Sequence, residues 1–261
     1  QVQLIDYLKP NLWLGMGSFA IHLANLAEAH GIELSNSSVE HMISAAEPLS
    51  EAKREKIERS WGAQMYDGLG MTEAGFMAAE SPARDGLHLW ADMYYIEVLD
   101  PDTFEPVPEG EVGTLITTPL WTNNATPFLR WSSGDLVTYH AEGGHDGPFS
   151  VFPMIRHSHR TTGFFKVRGV NIGHPEFEDF MFRNPSINDF KCTAVFDGTL
   201  DQLQVFVEVR RGADADSAVA SLVAEIKQTF EVTPVIEVLE TGALAREFEG
   251  AIKAPRFIDA R

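Results

Sequence analysis

The sequence predicts an α/β fold built from two units, a larger mixed unit over residues 1–160 and a small α+β unit over residues 161–261. Three observations lead to this prediction: amphipathic helical patterns in the first sixty residues, strand patterns from Tyr94 onward, and a hairpin followed by a helix and a strand near the end. Of the 261 residues, 44% are hydrophobic and 22% are charged, so the chain can bury a sizeable core and is not expected to be disordered.

Two helices are predicted in the first part of the chain. Over residues 18–30, apolar side chains recur near one helical face, with Ser18 as a candidate cap and Gly31 just past the end. A second helix begins near Pro48 and runs to about Trp61. Most of its residues are polar or charged, and its exposed face is expected to carry most of the charge, while a few apolar side chains rest on the core.

Strand patterns occupy the middle of the chain. Residues 94–100 and 114–120 predict two antiparallel strands, joined by a long turn rich in Pro and Gly. Residues 136–140 predict a further strand.

The last hundred residues predict a unit of their own. Residues 191–196 and 203–210 are β-rich runs separated by turn residues, which is typical of a hairpin. Apolar residues then recur every four positions after Asp216 and Ser217, which indicates a capped helix, and residues 235–239 predict another strand.

Charge and cysteine content restrict the function classes. With 38 acidic and 20 basic side chains the formal net charge is −18, which argues against nucleic acid or an anionic membrane as the partner. Cys192 is the only cysteine, so an intrachain disulfide and a cysteine-rich zinc site are excluded and a cytoplasmic location is expected. The sequence has no run of 18 apolar residues that would predict a membrane span.

Four short segments carry residue types that suit nucleotide chemistry. They are SAAEPLS (44–50), YDGLGMTEAG (66–75), RWSSGDLV (130–137) and RTTGFFKVRGVNIGHPEFED (160–179). Small side chains in the first let the backbone approach a flat ligand closely. In the second, Thr72 beside Glu73 suits a phosphate and its Mg²⁺ ion. In the third, the Asp135 carboxylate can accept two hydrogen bonds from a ribose diol.

Each feature alone has an ordinary structural alternative. Asp135 fits a turn that precedes a strand, and Glu73 fits the first turn of a helix. Lys253, in an exposed tail, fits a solvated charge. His157 and His159 lie two residues apart, but two imidazoles without a third ligand seldom make a metal site. It is the order and spacing of all four segments that favour a nucleotide site.

Together, the segments resemble the acyl-adenylate-forming superfamily of AMP-dependent synthetases and ligases, and within it the phenylacetate-CoA ligase branch. The resemblance rests on AAEPLS (45–50), YDGLGMTE (66–73), RWSSGDL (130–136), HRTTGFFKVRGVN (159–171) and EGAIKAPRFID (249–259). It runs over essentially the whole chain. It implies that residues 1–160 are the C-terminal part of the large adenylate-forming domain and that residues 161–261 are the small C-terminal lid domain.

The resemblance implies a two-step reaction that uses ATP, Mg²⁺ and coenzyme A. An aromatic or otherwise apolar carboxylic acid forms an acyl adenylate, and a thiol then displaces AMP to give a thioester. The implied catalytic residues are Lys253, Thr72 and Glu73, of which Glu73 also binds Mg²⁺. Asp135 would hold the ribose hydroxyls. The other implied nucleotide-binding residues are Ala46, Glu47, Pro48, Tyr66, Asp67, Gly68, Arg160, Lys166 and Arg168.

One part of the family pattern has no counterpart in the sequence, namely the Ser/Thr/Gly-rich loop that binds the β- and γ-phosphates of ATP. We therefore expect the C-terminal part of a longer enzyme, inactive in acyl-adenylate formation by itself, with the missing N-terminal part or a second copy as partner. Two alternatives stay open. One is transfer to an acceptor other than coenzyme A, and the other is a non-catalytic nucleotide-binding homologue.

Overall fold

The computed structural model describes residues 1–121, 125–143, 147–158, 163–251 and 254–261. Nine strands form one mixed sheet in the order β1-β2-β3-β4-β5-β9-β8-β7-β6. They are β1 (Leu12–Gly15), β2 (His41–Ser44), β3 (Gln64–Met71), β4 (Gly75–Glu80), β5 (Leu87–Leu89), β6 (Tyr94–Leu99), β7 (Val112–Pro119), β8 (Trp131–His140) and β9 (Met154–His157). The first three pair in parallel and the other neighbours pair antiparallel. The predicted α/β class is confirmed, as are the two strands on either side of the Pro- and Gly-rich turn.

Three helices accompany this sheet: α1 (Val2–Leu8), α2 (Gly17–Ala29) and α3 (Glu51–Trp61). The α2 prediction is confirmed, but its N-cap is Met16 rather than Ser18. For α3, the Ser50 hydroxyl caps the first turn by accepting a hydrogen bond from the Lys53 amide at 3.2 Å, and Gly62 ends the helix at φ 66°. Among the described residues, no helix is both long and apolar enough to cross a membrane.

The expectation that the charged side chains of α3 form an exposed face is wrong for three of its four cations. Lys53, Arg54 and Lys56 are only 5%, 4% and 6% exposed, whereas Arg59 is exposed. The reason is tertiary packing: the C-terminal unit (residues 163–261) contacts α3 and supplies partners for Lys53 and Lys56, and the large sheet supplies Glu80 and the Met65 carbonyl for Arg54.

The C-terminal unit contains a two-stranded hairpin and a four-stranded sheet in the order β14-β13-β12-β15. Its elements are β10 (Phe164–Val167), β11 (Val170–Gly173), α4 (His174–Arg183), β12 (Ile187–Phe196), β13 (Asp201–Val209), α5 (Ala215–Phe230), β14 (Val235–Leu239), α6 (Ala243–Phe248) and β15 (Phe257–Asp259). The predicted hairpin, helix and strand correspond to β12–β13, α5 and β14. The α5 cap is Asp214, whose carboxylate accepts from the Ser217 amide at 3.0 Å, rather than Asp216 or Ser217.

Asp135 and Glu73 do not lie where the ordinary structural alternatives for them would place them. Asp135 lies inside β8, which begins at Trp131, rather than in a turn before a strand. Glu73 lies in the turn between β3 and β4 rather than at the start of a helix. Both residues are therefore held by the large sheet.

One hydrophobic core runs through both units. It joins Trp61 and Met65, beneath the parallel strands, to Phe177 and Phe190 of the C-terminal unit. A second, smaller core lies among the antiparallel strands and joins Leu69 of β3 to strands distant from it in the sheet order, so the sheet curves around this core. Its members are Leu69, Ala78, Leu87, Leu89, Val98, Leu115, Val137 and Ile155.

Between the two units lies a buried charged seam, formed by Asn25, Lys53, Glu178, Asp189 and Arg256. The Arg256 guanidinium donates to Asp189 at 3.0 and 3.3 Å and lies 3.8 Å from Glu178. Asn25 of α2 donates to Asp189 at 2.8 Å, and the Lys53 ammonium lies 2.9 Å from Glu178. The Arg256 pairs lie within the C-terminal unit, whereas the contacts of Asn25 with Asp189 and of Lys53 with Glu178 join the two units, so Lys53 has this partner only when the units are in contact.

Cys192 lies in the middle of the C-terminal sheet. It is opposite Val205 of β13 on one side and Phe257 of β15 on the other. The side chain is fully buried, and this burial raises the pKa of its thiol far above the usual range.

Candidate functional site

The carboxyl ends of the three parallel strands meet at one edge of the large sheet. Gly15 pairs with Ser44, and Ser44 pairs with Asp67. Helix α2 starts directly after β1, at Gly17, and the loop of residues 45–50 follows β2. In open α/β sheets this edge is where ligands bind, because the loops and helix N-termini there are free to face a ligand.

The loop after β2 holds Ala46, Glu47 and Pro48. Ala46 adopts φ 70°, a left-handed conformation that costs free energy for any residue with a Cβ. Such conformations persist where the surrounding structure fixes them, and they are frequent at ligand-binding loops. The structure thus brings this loop beside Tyr66, Asp67 and Gly68 of the neighbouring strand, as the sequence segments led us to expect.

The Glu47 carboxylate, however, is occupied by helix α2. Its Oε1 accepts from the Ser18 amide at 2.5 Å and its Oε2 accepts from the Ser18 hydroxyl at 2.8 Å. Lys53 lies 3.6 Å from the same carboxylate, and the Ser44 hydroxyl accepts from the Gly17 amide at 3.2 Å. These contacts satisfy amides at the start of α2 that have no partner within the helix. Only the backbone of Glu47 is left to line a nucleotide.

Asp67 is the most perturbed carboxylate of this edge. The pKa of Asp67 is raised to about 7: burial and then the nearby Glu80 carboxylate raise it, while the Gly68 amide and Arg54 partly offset them. The Gly68 amide donates to Asp67 Oδ1 at 2.9 Å, and the Asp67 amide donates to Glu80 Oε2 at 2.7 Å. Near neutral pH, Asp67 is therefore poised between acceptor and donor.

Arg54 supports this arrangement from α3. Its guanidinium donates to both oxygens of Glu80 at 2.8 Å and to the Met65 carbonyl at 2.5 Å. The bidentate pair fixes the Glu80 carboxylate that receives the Asp67 amide. Sequence reasoning missed Arg54 and Glu80, since neither belongs to a recognisable segment.

Around Asp67, the neighbouring side chains set the shape of the edge. The Arg84 guanidinium lies 5.1 Å from the centre of the Tyr66 ring. A Cβ at Gly68 would lie 2.7 Å from the Phe76 ring, so this position accommodates the approach of that ring. At this edge, Tyr66 therefore provides an aromatic face, Asp67 a carboxylate and Gly68 a position without a side chain.

Thr72 and Glu73 lie in the turn that joins β3 to β4. Thr72 is exposed and Glu73 is half-buried. The Tyr94 hydroxyl donates to the Ala74 carbonyl at 2.7 Å and so fixes this turn from β6. Tyr94 is a third residue that sequence reasoning missed, because only the three-dimensional contact distinguishes it from other strand tyrosines.

Asp135 follows an irregular point in β8. Gly134 has φ 71°, and the Asp135 amide donates to the Ser133 hydroxyl at 3.0 Å. Asp135 precedes Val137 by two residues, just as Asp67 precedes Leu69, and both of those apolar side chains belong to the smaller core. Side chains two residues apart share a face of a strand, so both carboxylates project to the side of the sheet that encloses this core.

Lys166 and Arg168 belong to the β10–β11 hairpin of the C-terminal unit. Arg168 and Gly169 form its turn with φ 51° and 84°. Arg168 donates to the Asp201 carbonyl at 2.8 Å, and the Lys166 carbonyl accepts from Arg261 at 2.6 Å. Both contacts stay within the C-terminal unit, so the structure does not join these two residues to the parallel edge by a contact.

Three predicted residues fall outside the described residues: Arg160, Lys253 and His159. The weak His157/His159 metal hypothesis therefore stays without structural support. Within the described ranges, no group of three or more His, Cys, Asp or Glu side chains is arranged to hold a metal ion.

Comparisons with known proteins agree with the family resemblance of the segments. The model of the AMP-binding enzyme family matches residues 1–119. The phenylacetate-coenzyme A ligase of Thermus thermophilus is 33% identical over 215 residues, which cover 80% of this chain and 47% of that ligase. The chain thus spans about half the length of the relatives that it matches.

Solved structures of a CoA ligase are also similar to this chain. The crystal structure of 2-hydroxyisobutyryl-CoA ligase with 2-HIB-AMP, in its postadenylation state, is 27% identical with a TM-score of 0.77, covering 100% of this chain and 56% of that one. For the same ligase with 2-HIB-AMP and CoA in its thioesterification state, the identity is again 27% and the TM-score is 0.55, covering 99% and 56% of the two chains.

Proposed function

This chain belongs to the adenylate-forming superfamily, in its phenylacetate-CoA ligase-like branch, and we therefore propose that it serves ATP-dependent activation of a carboxylic acid followed by thioester formation with coenzyme A. The observation that carries the proposal is the adjacency of Ala46–Pro48 and Tyr66–Gly68 at the carboxyl ends of parallel strands. In this proposal the adenine lies between them, with the loop backbone on one side and Tyr66 and Gly68 on the other.

The proposed chemistry has two steps. An oxygen of the carboxylic acid attacks the α-phosphorus of ATP and pyrophosphate leaves; the sulfur of coenzyme A then attacks the acyl carbon and AMP leaves. Both steps develop charge on phosphoryl or acyl oxygens, which fixed cations stabilise. In this proposal Lys253 meets the α-phosphate, Arg160 lies near the ribose, and Lys166 and Arg168 complete the positive groups of the lid.

The donor set of the β3–β4 turn fits Mg²⁺. This ion usually takes one or two carboxylates together with phosphate oxygens and waters, so a site without three protein ligands is what the chemistry needs. Glu73 would hold the ion, and the Thr72 hydroxyl would donate to a phosphate oxygen. When bound, Mg²⁺ neutralises charge on the phosphates. The contact of Tyr94 with this turn keeps the two side chains at a fixed place.

We further propose that residues 161–261 act as a lid domain. Two observations support a lid that is placed as it is at the end of the adenylation step. The TM-score is higher against the postadenylation state of the hydroxyisobutyryl ligase than against its thioesterification state. The seam between the units satisfies its charges in the present arrangement.

Replacing Asp135 tests the ribose assignment. Asp135→Ala should weaken AMP binding by about 10- to 100-fold, because hydrogen bonds to a charged group are worth about 1.5 to 3 kcal/mol. Calorimetry with AMP on the 261-residue chain measures the effect. Asp102→Ala, which removes an exposed turn carboxylate from the same sheet, is the matched control and should bind AMP normally. Unchanged AMP affinity in Asp135→Ala would remove this residue from the ribose site.

Product analysis tests the reaction itself. Mixtures contain the chain, CoA and either ATP with Mg²⁺ and a panel of carboxylic acids or a synthetic acyl adenylate, and mass spectrometry identifies the products. Acyl-CoA formed above the uncatalysed rate supports the proposal. Acyl-AMP consumed only when another nucleophile is supplied assigns a non-CoA acceptor. AMP binding without any reaction of the synthetic acyl adenylate assigns the non-catalytic alternative.

A further inference from the structure

A polar cavity of about 370 Å³ lies between the two units, at the end of α2 and α3 remote from the nucleotide edge. One wall comes from the C-terminal ends of these helices and from the chain that follows α2. The other wall comes from the start of β12 and from the residues after β13. Helix α2 has 13 residues and is about 20 Å long, so this cavity is distinct from the proposed ATP site.

Four cations line this cavity in a chain with a net charge of −18. They are Lys56, Arg59, Arg210 and Arg211. In the part of the chain that the structure describes, neither Arg210 nor Arg211 has an ion-pair partner for its guanidinium. The Lys56 ammonium is buried and, within the described ranges, donates only to the Ile187 carbonyl, at 3.3 Å. Burial lowers the pKa of Lys56 to about 8, so the group is still a cation at neutral pH.

One residue of the cavity lining also carries an unused donor. Asn188 is the extra residue of a bulge in β12, between Ile187 and Asp189. It is 5% exposed, and its enclosed Nδ2 atom has no hydrogen-bond acceptor among the described residues. A buried amide without a partner is costly unless a ligand or water satisfies it.

Two carboxylates line the cavity as well, and each already has a neutral donor. Glu28 accepts from the Arg211 backbone amide at 3.2 Å, and Glu33 accepts from the Asn36 side chain at 3.2 Å. Counting all lining side chains, four positive charges face two negative ones. The cavity therefore has an excess of positive charge together with an unsatisfied donor.

We propose that this cavity is a binding site for a phosphate group, distinct from the ATP site. Guanidinium, ammonium and amide donors reach the cavity from separate elements, which suits a tetrahedral dianion with several acceptor oxygens. The volume admits a phosphate ester or pyrophosphate as readily as inorganic phosphate. Because the donors come from both units, a bound phosphate stabilises the present arrangement of the units over any in which they separate.

The test follows phosphate binding directly at Asn188. The wild-type chain is titrated with inorganic phosphate at constant, low ionic strength, while NMR records the side-chain amide of Asn188 and calorimetry gives the dissociation constant. Arg210→Ala/Arg211→Ala should weaken binding about tenfold or more, since each charged hydrogen bond lost is worth roughly one factor of ten. Asn188→Ala should weaken it as well.

Matched controls separate this site from general charge and from the ATP site. Lys9→Ala/Lys227→Ala removes two exposed cations outside the cavity and should leave phosphate affinity unchanged. Asp135→Ala should leave it unchanged too. Unperturbed Asn188 resonances on saturation with phosphate, or equal affinity in the Arg210/Arg211 double variant, would overturn the proposal.

Two further arms identify the source of the phosphate group. If the 3′-phosphate of coenzyme A occupies the cavity, CoA binds more tightly than dephospho-CoA, and the difference disappears in the Arg210→Ala/Arg211→Ala chain. If CoA and dephospho-CoA bind equally while inorganic phosphate still shifts Asn188, the cavity is a site for a free phosphate compound.

Discussion

Arg256→Ala is expected to lower the free energy of unfolding by about 3 to 5 kcal/mol, the cost of removing one partner from a buried ion pair. Arg256 is 3% exposed, and its two carboxylate partners cannot regain full hydration within the seam. Asp189 is 1% exposed and, among the described residues, keeps only Asn25 as a side-chain donor. The loss would fall mainly on the C-terminal unit itself, because both members of the Arg256–Asp189 pair belong to it and Arg256 directly precedes β15, which pairs with β12. Urea denaturation of the wild-type and variant chains measures the difference.

Arg183→Ala is the matched control for this prediction. Arg183 also pairs with an aspartate, Asp179 one turn earlier in α4, but its side chain is 71% exposed. Removing it should cost no more than about 1 kcal/mol. A second variant, Arg256→Met/Asp189→Asn, removes the charges of the pair together and should recover part of the stability. Equal losses in Arg256→Ala and Arg183→Ala would contradict the buried seam as a source of stability.

Asp67→Asn is expected to stabilise the chain by about 4 kcal/mol at pH 8 and to have little effect near pH 4. The pKa of Asp67 is about 7 in the folded chain against an ordinary value of 3.8. The folded chain therefore holds a proton that the unfolded chain has already lost. The free energy of unfolding of the wild type should fall as the pH rises from about 4 to about 7 and then level off. Asparagine keeps the acceptor for the Gly68 amide without the buried charge.

Asp100→Asn is the control of opposite sign. The pKa of Asp100 lies below its ordinary value, because the Thr103 and Asp102 amides donate to its carboxylate. The stability that it provides is therefore present above its unfolded pKa and lost as the pH falls, the reverse of Asp67. Denaturation curves at a series of pH values compare the three chains. A wild-type stability that rises from pH 4 to pH 7 as steeply as that of Asp67→Asn would show that Asp67 does not carry a raised pKa.

Local pattern predicted the fold best where elements are long. Helix α2, helix α5 and the β12–β13 hairpin each have enough periodic residues to identify them. Strands β1 and β2 have four residues each, too few for a periodicity to appear. Those two strands nevertheless build the edge on which the candidate site depends.

The sequence segments predicted which residues belong to the candidate site, but they did not predict the contacts of those residues. The segments identified Glu47 and Asp67, but their present surroundings depend on residues from other elements. Glu47 is bound by Ser18 of α2, and the pKa of Asp67 reflects burial and the Glu80 carboxylate. The same reason explains Lys53, which a charged helix pattern places in solvent and which the C-terminal unit buries. Sequence patterns describe one element at a time, whereas these properties belong to pairs of elements.

The position of Cys192 makes the opening of the core around it measurable as a rate. A thiol reagent needs an accessible thiolate, and this thiol is both enclosed and hard to ionise while the hydrophobic core around it is closed. Alkylation at fixed pH therefore proceeds only through molecules in which this core has opened. Alkylation kinetics thus report how often the core between the sheet and its helices opens, with no label other than the cysteine that the chain already has.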